Sequence, residues 1–313
     1  MNIAYSCNDY YIPQTGISII SCCENNKNVE DLVFYLISKD VSQANIAVLN
    51  NICSNYHRDL KIVNFDDIAY DLDISSIGRH IATIYTKVFF PRIEGVDKMI
   101  YFDSDTVITG SLSPLWDINI DGYYMGVVET FAKKGIKKQL GLPYNAPFFN
   151  DGMAICNVSY CREFDLIGQV NKTVADFKGA PPVLSEGALN QVCYGKVKYI
   201  SPRWNMLAGL LERGLSDIDY LEELTLYSRE DLQESINHPI VIHYLSGHYN
   251  RPWFKKCNHP YKYEYYKYKS LSPWKDAILL DGDLSYKIKI HERLIHLLGY
   301  RKYDKLKHFL GRD

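Results

Sequence analysis

Two carboxylates, Asp103 and Asp105, stand two residues apart where an apolar run ends in KMIYFDSDTVITG, residues 98–110. Hard oxygen donors spaced this way at a strand end can hold Mg²⁺ or Mn²⁺ and leave positions open for phosphate oxygens. Without a cation or a basic neighbour the two acids would repel each other. An isolated Asp-x-Asp is more often a pair of solvated turn residues, so its company decides its meaning. FFNDGMAICN leads Asn150, Asp151 and Gly152 into another apolar strand, and VIHYLSGHYNRPW puts His243 at the end of a third. A neutral imidazole can complete a metal site. Gly247 would let backbone amides approach a phosphate, and Arg251 would neutralise one. The three segments together point to a metal–diphosphate site.

The elements that must position these groups alternate between strand and helix. Apolar runs predict strands over residues 2–7, 32–37, 61–65 and 98–102, and helical spacing covers 15–23, 41–53 and 81–90. That pattern predicts an α/β fold, a mostly parallel sheet with flanking helices. Ligands in such sheets bind beyond the carboxyl ends of the strands. Residues 6–11 and 103–106 are the loops so placed. No GxGxxG follows the first strand and GxxxxGK[ST] is absent, so neither a dinucleotide nor a P-loop site is expected.

The chain has 313 residues, 47% hydrophobic and 23% charged, which excludes a disordered, collagenous or disulfide-miniprotein class. Its start, MNIAYSCNDYY, lacks signal-peptide features, and no apolar stretch approaches the roughly 20 residues of a membrane span. A cytoplasmic location is the expectation. The eight cysteines form no CxxC pair and read as reduced core thiols. Charge divides the chain: residues 1–250 carry 20 Lys and Arg against 30 Asp and Glu, and 251–313 carry 15 against 7. The expected organisation is a main domain, 1–250, and a basic, helical C-terminal extension, 251–313. Within the extension, 259–275 (HPYKYEYYKYKSLSPWK) is basic and aromatic, a composition suited to a lipid headgroup layer. Residues 286–310 place Ile290, Leu294, Leu297, Leu298 and Tyr300 on one face of a basic amphipathic helix. Such a helix can lie on an anionic membrane or pack on its own domain. Nucleic acid is not an expected partner, since no motif supports it and the main domain is acidic.

The segments IAYSCNDYYIPQTGISIISC, YFDSDTVITGSLSPLWD, FFNDGMAICN, EGALNQVCYGKVKYISPRWN and IHYLSGHYNRPW follow one another over about residues 1–253. In that order they resemble family 8 retaining glycosyltransferases, the group that holds bacterial lipopolysaccharide galactosyl- and glucosyltransferases and glycogenin. KYEYYKYKSLSPWK is similar to the C-terminal extension of the lipopolysaccharide-core members. The resemblance implies a GT-A (Rossmann-like) fold. It also implies a UDP-hexose donor, a saccharide or glycolipid acceptor, and Mn²⁺ or Mg²⁺ on Asp103, Asp105 and His243. It places Ser6, Cys7, Asn8 and Tyr11 around uridine, with Tyr11 stacked on the base, and Ser104 at the ribose or phosphate. Gly247, Arg251 and Lys87 fall at the diphosphate; Asn150, Asp151 and Glu186 fall at the donor sugar and reacting centre.

Four positions depart from the family pattern. Asn8 replaces an acid, Lys87 replaces an arginine, Asp151 replaces a small residue, and Ser185-Glu186 replaces an Asp-Gln pair. The last change weakens any choice between glucose and galactose. Residues 202–205 (PRWN) are expected to shape the acceptor side, with Trp204 either stacked on a sugar face or part of the core. Glu129, after a strand at 125–128, reads as a solvated loop acid or an acceptor contact. Two alternatives remain at this level. One is a haloacid-dehalogenase-type phosphatase using Asp103 in a DxDx[TV] motif. The other is a sugar-nucleotide-binding protein without catalysis.

Overall fold

The computed structural model describes residues 1–74, 79–132, 135–215, 217–218, 224–245, 249–282 and 285–309. Ten strands are seen among them. They are β1 (Asn2–Cys7), β2 (Val33–Ser38), β3 (Asp59–Asn64), β4 (Lys98–Asp103), β5 (Thr106–Ile108), β6 (Met125–Glu129), β7 (Phe149–Asn157), β8 (Val197–Tyr199), β9 (Met206–Leu207) and β10 (Val241–His243). Seven form one sheet in the order β3-β2-β1-β4-β7-β6-β8, and β5-β10-β9 form a second, smaller sheet.

The centre of the large sheet is parallel, as the alternating pattern predicts. β1 lies between β2 and β4, and Ser6 pairs with Asp103 at the carboxyl ends. β7 is the exception, antiparallel to both β4 and β6. Reversal gives it a role: its opening residues, Asn150 and Asp151, arrive at the edge where β1 and β4 finish. The strands of the sheet centre are buried on both faces, with Ile3, Ala4, Tyr5, Ile100, Phe102, Ala154 and Ile155 almost wholly enclosed. Hence they read as unbroken apolar runs.

Helix α1 (Ile12–Asn25) starts with a proline in its first turn, where a missing N–H costs nothing. It buries Ile17, Ile19, Ile20, Cys22 and Cys23 against the sheet. A hydroxyl chain ties it to both sheets: Tyr5 OH lies 2.9 Å from Ser18 Oγ, which lies 3.1 Å from Thr106 Oγ1. Helix α2 (Gln43–Asn55) is capped by Ser42. The segment expected as a helix at 81–90 is 3₁₀-helical, Arg79–Arg92, with Pro91 inside it. All eight cysteines are free and buried.

The C-terminal region differs in two ways from the sequence expectation. First, the aromatic stretch belongs partly to the core. Trp253, Tyr265 and Tyr268 share one hydrophobic cluster with Ile12, Ile17 and Ile20 of α1. Tyr268 OH accepts a hydrogen bond from Asn25 Nδ2 at 2.7 Å, and a Cβ on Gly16 would stand 2.7 Å from Trp274 Cη2. The change of charge near 251 is therefore no break in packing. Second, the single amphipathic helix is two, Tyr286–Leu298 and Tyr300–Phe309, separated by Gly299 at φ +76°. Left-handed glycine is a common helix terminator.

Candidate active site

Asp103 closes β4 and Asp105 precedes β5, so one tight turn carries the two carboxylates from the large sheet to the small one. Thr106 Oγ1 donates to the Asp103 carbonyl at 2.8 Å and pins that turn. β10 runs antiparallel to β5 with His243 opposite Thr106, which sets the imidazole beside the turn. His243 Nε2 lies 3.1 Å from Asp105 Oδ1 and 3.7 Å from Asp103 Oδ2. One ligand atom from each of the three residues falls within 4.8 Å of the others. The predicted trio is thus brought together.

The trio fits a divalent cation on three grounds. It offers two carboxylates and one imidazole, a hard-to-borderline set. His243 is fully buried, yet its Nε2 makes no hydrogen bond in spite of its nearness to Asp105. A buried polar atom left in that state calls for a missing partner. Finally, a Cβ on Gly152 would collide with His243 Cε1 and stand 2.6 Å from Asp103 Oδ2. Only glycine lets β7 pass this close.

The electrostatics are those of a crowded cation site. Burial alone would lower the His243 pKa, but Asp105 and Asp103 outweigh it and raise it. Asp103 is pushed up by its enclosed surroundings against the pull of Lys87 and His243. For Asp105, burial would raise the pKa, but His243 and Arg251 more than offset it, so the net shift is downward. Tyr101 OH donates to Asp103 Oδ1 at 2.7 Å. Arg251 Nη2 meets Asp105 Oδ2 at 3.1 Å, and its Nη1 donates to Tyr11 OH at 3.2 Å.

Above the trio opens a cleft of about 340 Å³ whose lining includes Ser6, Cys7, Asn8, Tyr11, Asp103, Ser104, Asp105 and Arg251. Each was singled out from the sequence. Their local roles are more specific than expected. Asn8 Oδ1 caps the short 3₁₀ turn that follows it, accepting from Tyr10 N at 3.1 Å. Ser104 Oγ donates to the Ser6 carbonyl at 3.1 Å and lies 2.9 Å from Thr15 Oγ1, locking the two loops together. Burial pushes the Cys7 thiol up to about 11, so it is an inert wall. Gly247 lies outside the described residues.

Beneath the cleft lies a second polar group. Lys87 Nζ pairs with Asp151 Oδ2 at 2.9 Å, both side chains being buried, and Ser185 Oγ donates to the same oxygen at 2.7 Å. Three positions singled out in the sequence as departures, Lys87, Asp151 and Ser185, meet here. Asn150 Nδ2 donates to Glu186 Oε2 at 2.8 Å. Burial, with Asp151 nearby, pushes the Glu186 carboxyl up to about 8.

One expectation needs correction, one of the two readings of Trp204 is selected, and two residues were missed. Glu129 is no solvated loop acid: it is 7% exposed, accepts from Leu226 N at 3.2 Å, and is pushed up to about 7 by burial. Trp204, in the PRWN stretch, is a core residue, and Asn205 turns to His243 Nδ1 at 3.0 Å. Asn205 was named in the sequence only as the end of that stretch, with no signal for its place beside His243. Tyr101 did give one, because residues two apart on a strand share a face and Tyr101 precedes Asp103 by two.

A family model, glycosyl transferase family 8, matches residues 2–257. The chain belongs to this family. It is accordingly a glycosyltransferase, and the phosphatase alternative falls away. It is 28% identical over 268 residues to a Haemophilus influenzae protein, covering 83% of this chain and 74% of that one. It is 22% identical over 315 residues to the lipopolysaccharide 1,2-glucosyltransferase of Escherichia coli K12, covering 97% and 87%. The crystal structure of the galactosyltransferase LgtC with donor and acceptor sugar analogues matches at TM-score 0.70 and 20% identity, over 88% of this chain and 99% of that one. The likeness shows the fold: this family 8 chain is GT-A-like.

Proposed function

We propose that this family 8 enzyme moves a hexose, glucose or galactose, from a UDP-sugar to a saccharide acceptor of the lipopolysaccharide or cell-surface type, with retention at the anomeric carbon. The observation that carries the proposal is the convergence of Asp103 and Asp105, which line the cleft, with the buried His243 into one three-residue cluster. Resemblance to lipopolysaccharide glycosyltransferases supports the donor and acceptor classes.

In this reading Ser6, Cys7, Asn8 and Tyr11 hold the uridine, and Asp103, Asp105 and His243 hold Mn²⁺ or Mg²⁺. A divalent cation there would take up negative charge on the diphosphate as the sugar–phosphate bond breaks. Arg251, fixed between Tyr11 and Asp105, adds a second positive charge on the nucleotide side. Asp151 and Asn150 meet the sugar hydroxyls. A covalent route needs a free carboxylate beneath the ring. Asp151 already shares an oxygen with Lys87 and Ser185, and Glu186 holds its proton near neutrality. Both facts favour front-face attack, with the departing phosphate oxygen taking the acceptor's proton.

The test is UDP release from UDP-glucose, UDP-galactose and their N-acetyl forms, with Mn²⁺ and with chelator. One donor should be hydrolysed slowly without acceptor, and chelator should abolish this. If no donor turns over and UDP does not bind, the UDP-hexose reading fails.

A peripheral position on a membrane's cytoplasmic face is part of the same proposal. Among the described residues no helix is long and apolar enough to cross a membrane. Its support is that Tyr286, Leu297 and Phe309 on the two last helices are about four-fifths exposed among lysines and arginines.

A further inference from the structure

We propose that Asn205 is a positioning residue that keeps a hydrogen on His243 Nδ1, so that Nε2, on the side of Asp103 and Asp105, is the ring nitrogen left to ligate a cation. The inference rests on the reading of those three residues as a metal centre. It follows from which groups can donate and which can only accept.

The reasoning starts at a backbone amide. Gly152 N–H can only donate, so the Asn150 atom it meets at 3.1 Å is Oδ1. The other end of that amide, Nδ2, then donates to Glu186 Oε2 at 2.8 Å. Asn205 approaches the same Asn150 Oδ1 at 2.9 Å and must do so with Nδ2. Its own Oδ1 is thereby turned to His243 Nδ1, 3.0 Å away. An amide oxygen accepts and cannot donate, so Nδ1 carries the hydrogen. In the neutral, ligating ring that leaves Nε2, 3.1 Å from Asp105 Oδ1, as the bare nitrogen.

Burial makes the chain of orientations binding. Asn205 is 1% exposed, Asn150 7% and His243 0%. Flipping either amide would set donor against donor or acceptor against acceptor in an enclosed site, where such a mismatch is costly. The backbone holds Asn205 in place as well, because β9 starts at the next residue and pairs Leu207 with His243. Groups that orient a metal-bound histidine in this way commonly matter 10–100-fold for metal affinity.

Mn²⁺ affinity, measured by calorimetry on the folded protein without donor, tests the assignment. Asn205→Leu keeps the volume and removes the acceptor, and should weaken Mn²⁺ binding by roughly 10–100-fold. Asn205→Asp keeps an acceptor for Nδ1–H but turns its other oxygen on Asn150 Oδ1, so it should lose less Mn²⁺ affinity than Asn205→Leu. Parent-like affinity in Asn205→Leu overturns the inference. Equal losses in both variants overturn it too, since the Asn150 contact or packing would then be responsible. Should Asn205→Leu not fold, ¹⁵N-histidine spectra of the Mg²⁺-loaded parent decide. Hydrogen on Nδ1 supports the assignment, and hydrogen on Nε2 overturns it. A parent protein that binds neither ion would sink the metal reading itself, and this inference with it.

Discussion

Lys87 and Asp151 form an ion pair in which each member protects the fold from the other's charge. Both are buried, and Asp151 has Ser185 as an additional donor. Removing one partner of such a pair leaves an uncompensated charge, at a cost of roughly 3–5 kcal/mol. Lys87→Met should therefore lower stability by about that amount in urea unfolding. Adding Asp151→Leu should recover most of the loss without restoring sugar transfer. If the single variant is as stable as the parent, the pair is not the enclosed one described. Glu129 makes a prediction of opposite kind. Its carboxyl binds a proton more tightly folded, at about 7, than at the ordinary 4.5 of the unfolded chain. Its contribution is intact at low pH and declines as pH rises through that window. Between pH 5.5 and 8.5 the parent should lose about 2 kcal/mol more stability than Glu129→Gln. An identical pH slope in the two proteins would remove the argument. Residues of this sort mark the limit of sequence reading. Asp103 and His243 end apolar runs and stand out. Glu129 and Asn205 act only through partners about 97 and 38 positions away, which no spacing rule reaches.

Elements were more legible than their directions. β1 and β4 are enclosed on both faces, so their apolar runs announce them. β7 is equally apolar whichever way it runs, and its antiparallel pairing could not be read. The 3₁₀ segment Arg79–Arg92 and the predicted helix share a near-threefold spacing, which separates them poorly. The small sheet escaped because its strands are two or three residues long. Its site-building partner is β7 at Gly152, where the strand passes against Asp103 and His243. Gly152→Ala should push these ligands apart and reduce Mn²⁺ affinity by at least tenfold, while circular dichroism stays parent-like. Unchanged affinity would show that the strand has room to yield.

At the scale of the molecule, composition gave the correct class and an incomplete view of the tail. The basic aromatic segment satisfied two readings at once, and packing resolves part of it. Tyr265 and Tyr268 face α1, whereas the helices Tyr286–Leu298 and Tyr300–Phe309 keep large apolar groups outside. Deletion of residues 285–313 should weaken sedimentation with anionic vesicles and leave UDP release without acceptor near parent levels. Partitioning that does not change would remove the membrane from the proposal.

Because Asp103 ends a strand of one sheet while His243 ends a strand of the other, an ion gripped by both adds a rivet between two layers that already share a hydrophobic core and a row of hydroxyls. Loading the ion should slow amide hydrogen exchange along β5 and β10 far more than in β2 or β3. The enzyme would then reach its stiffest state only when equipped to react.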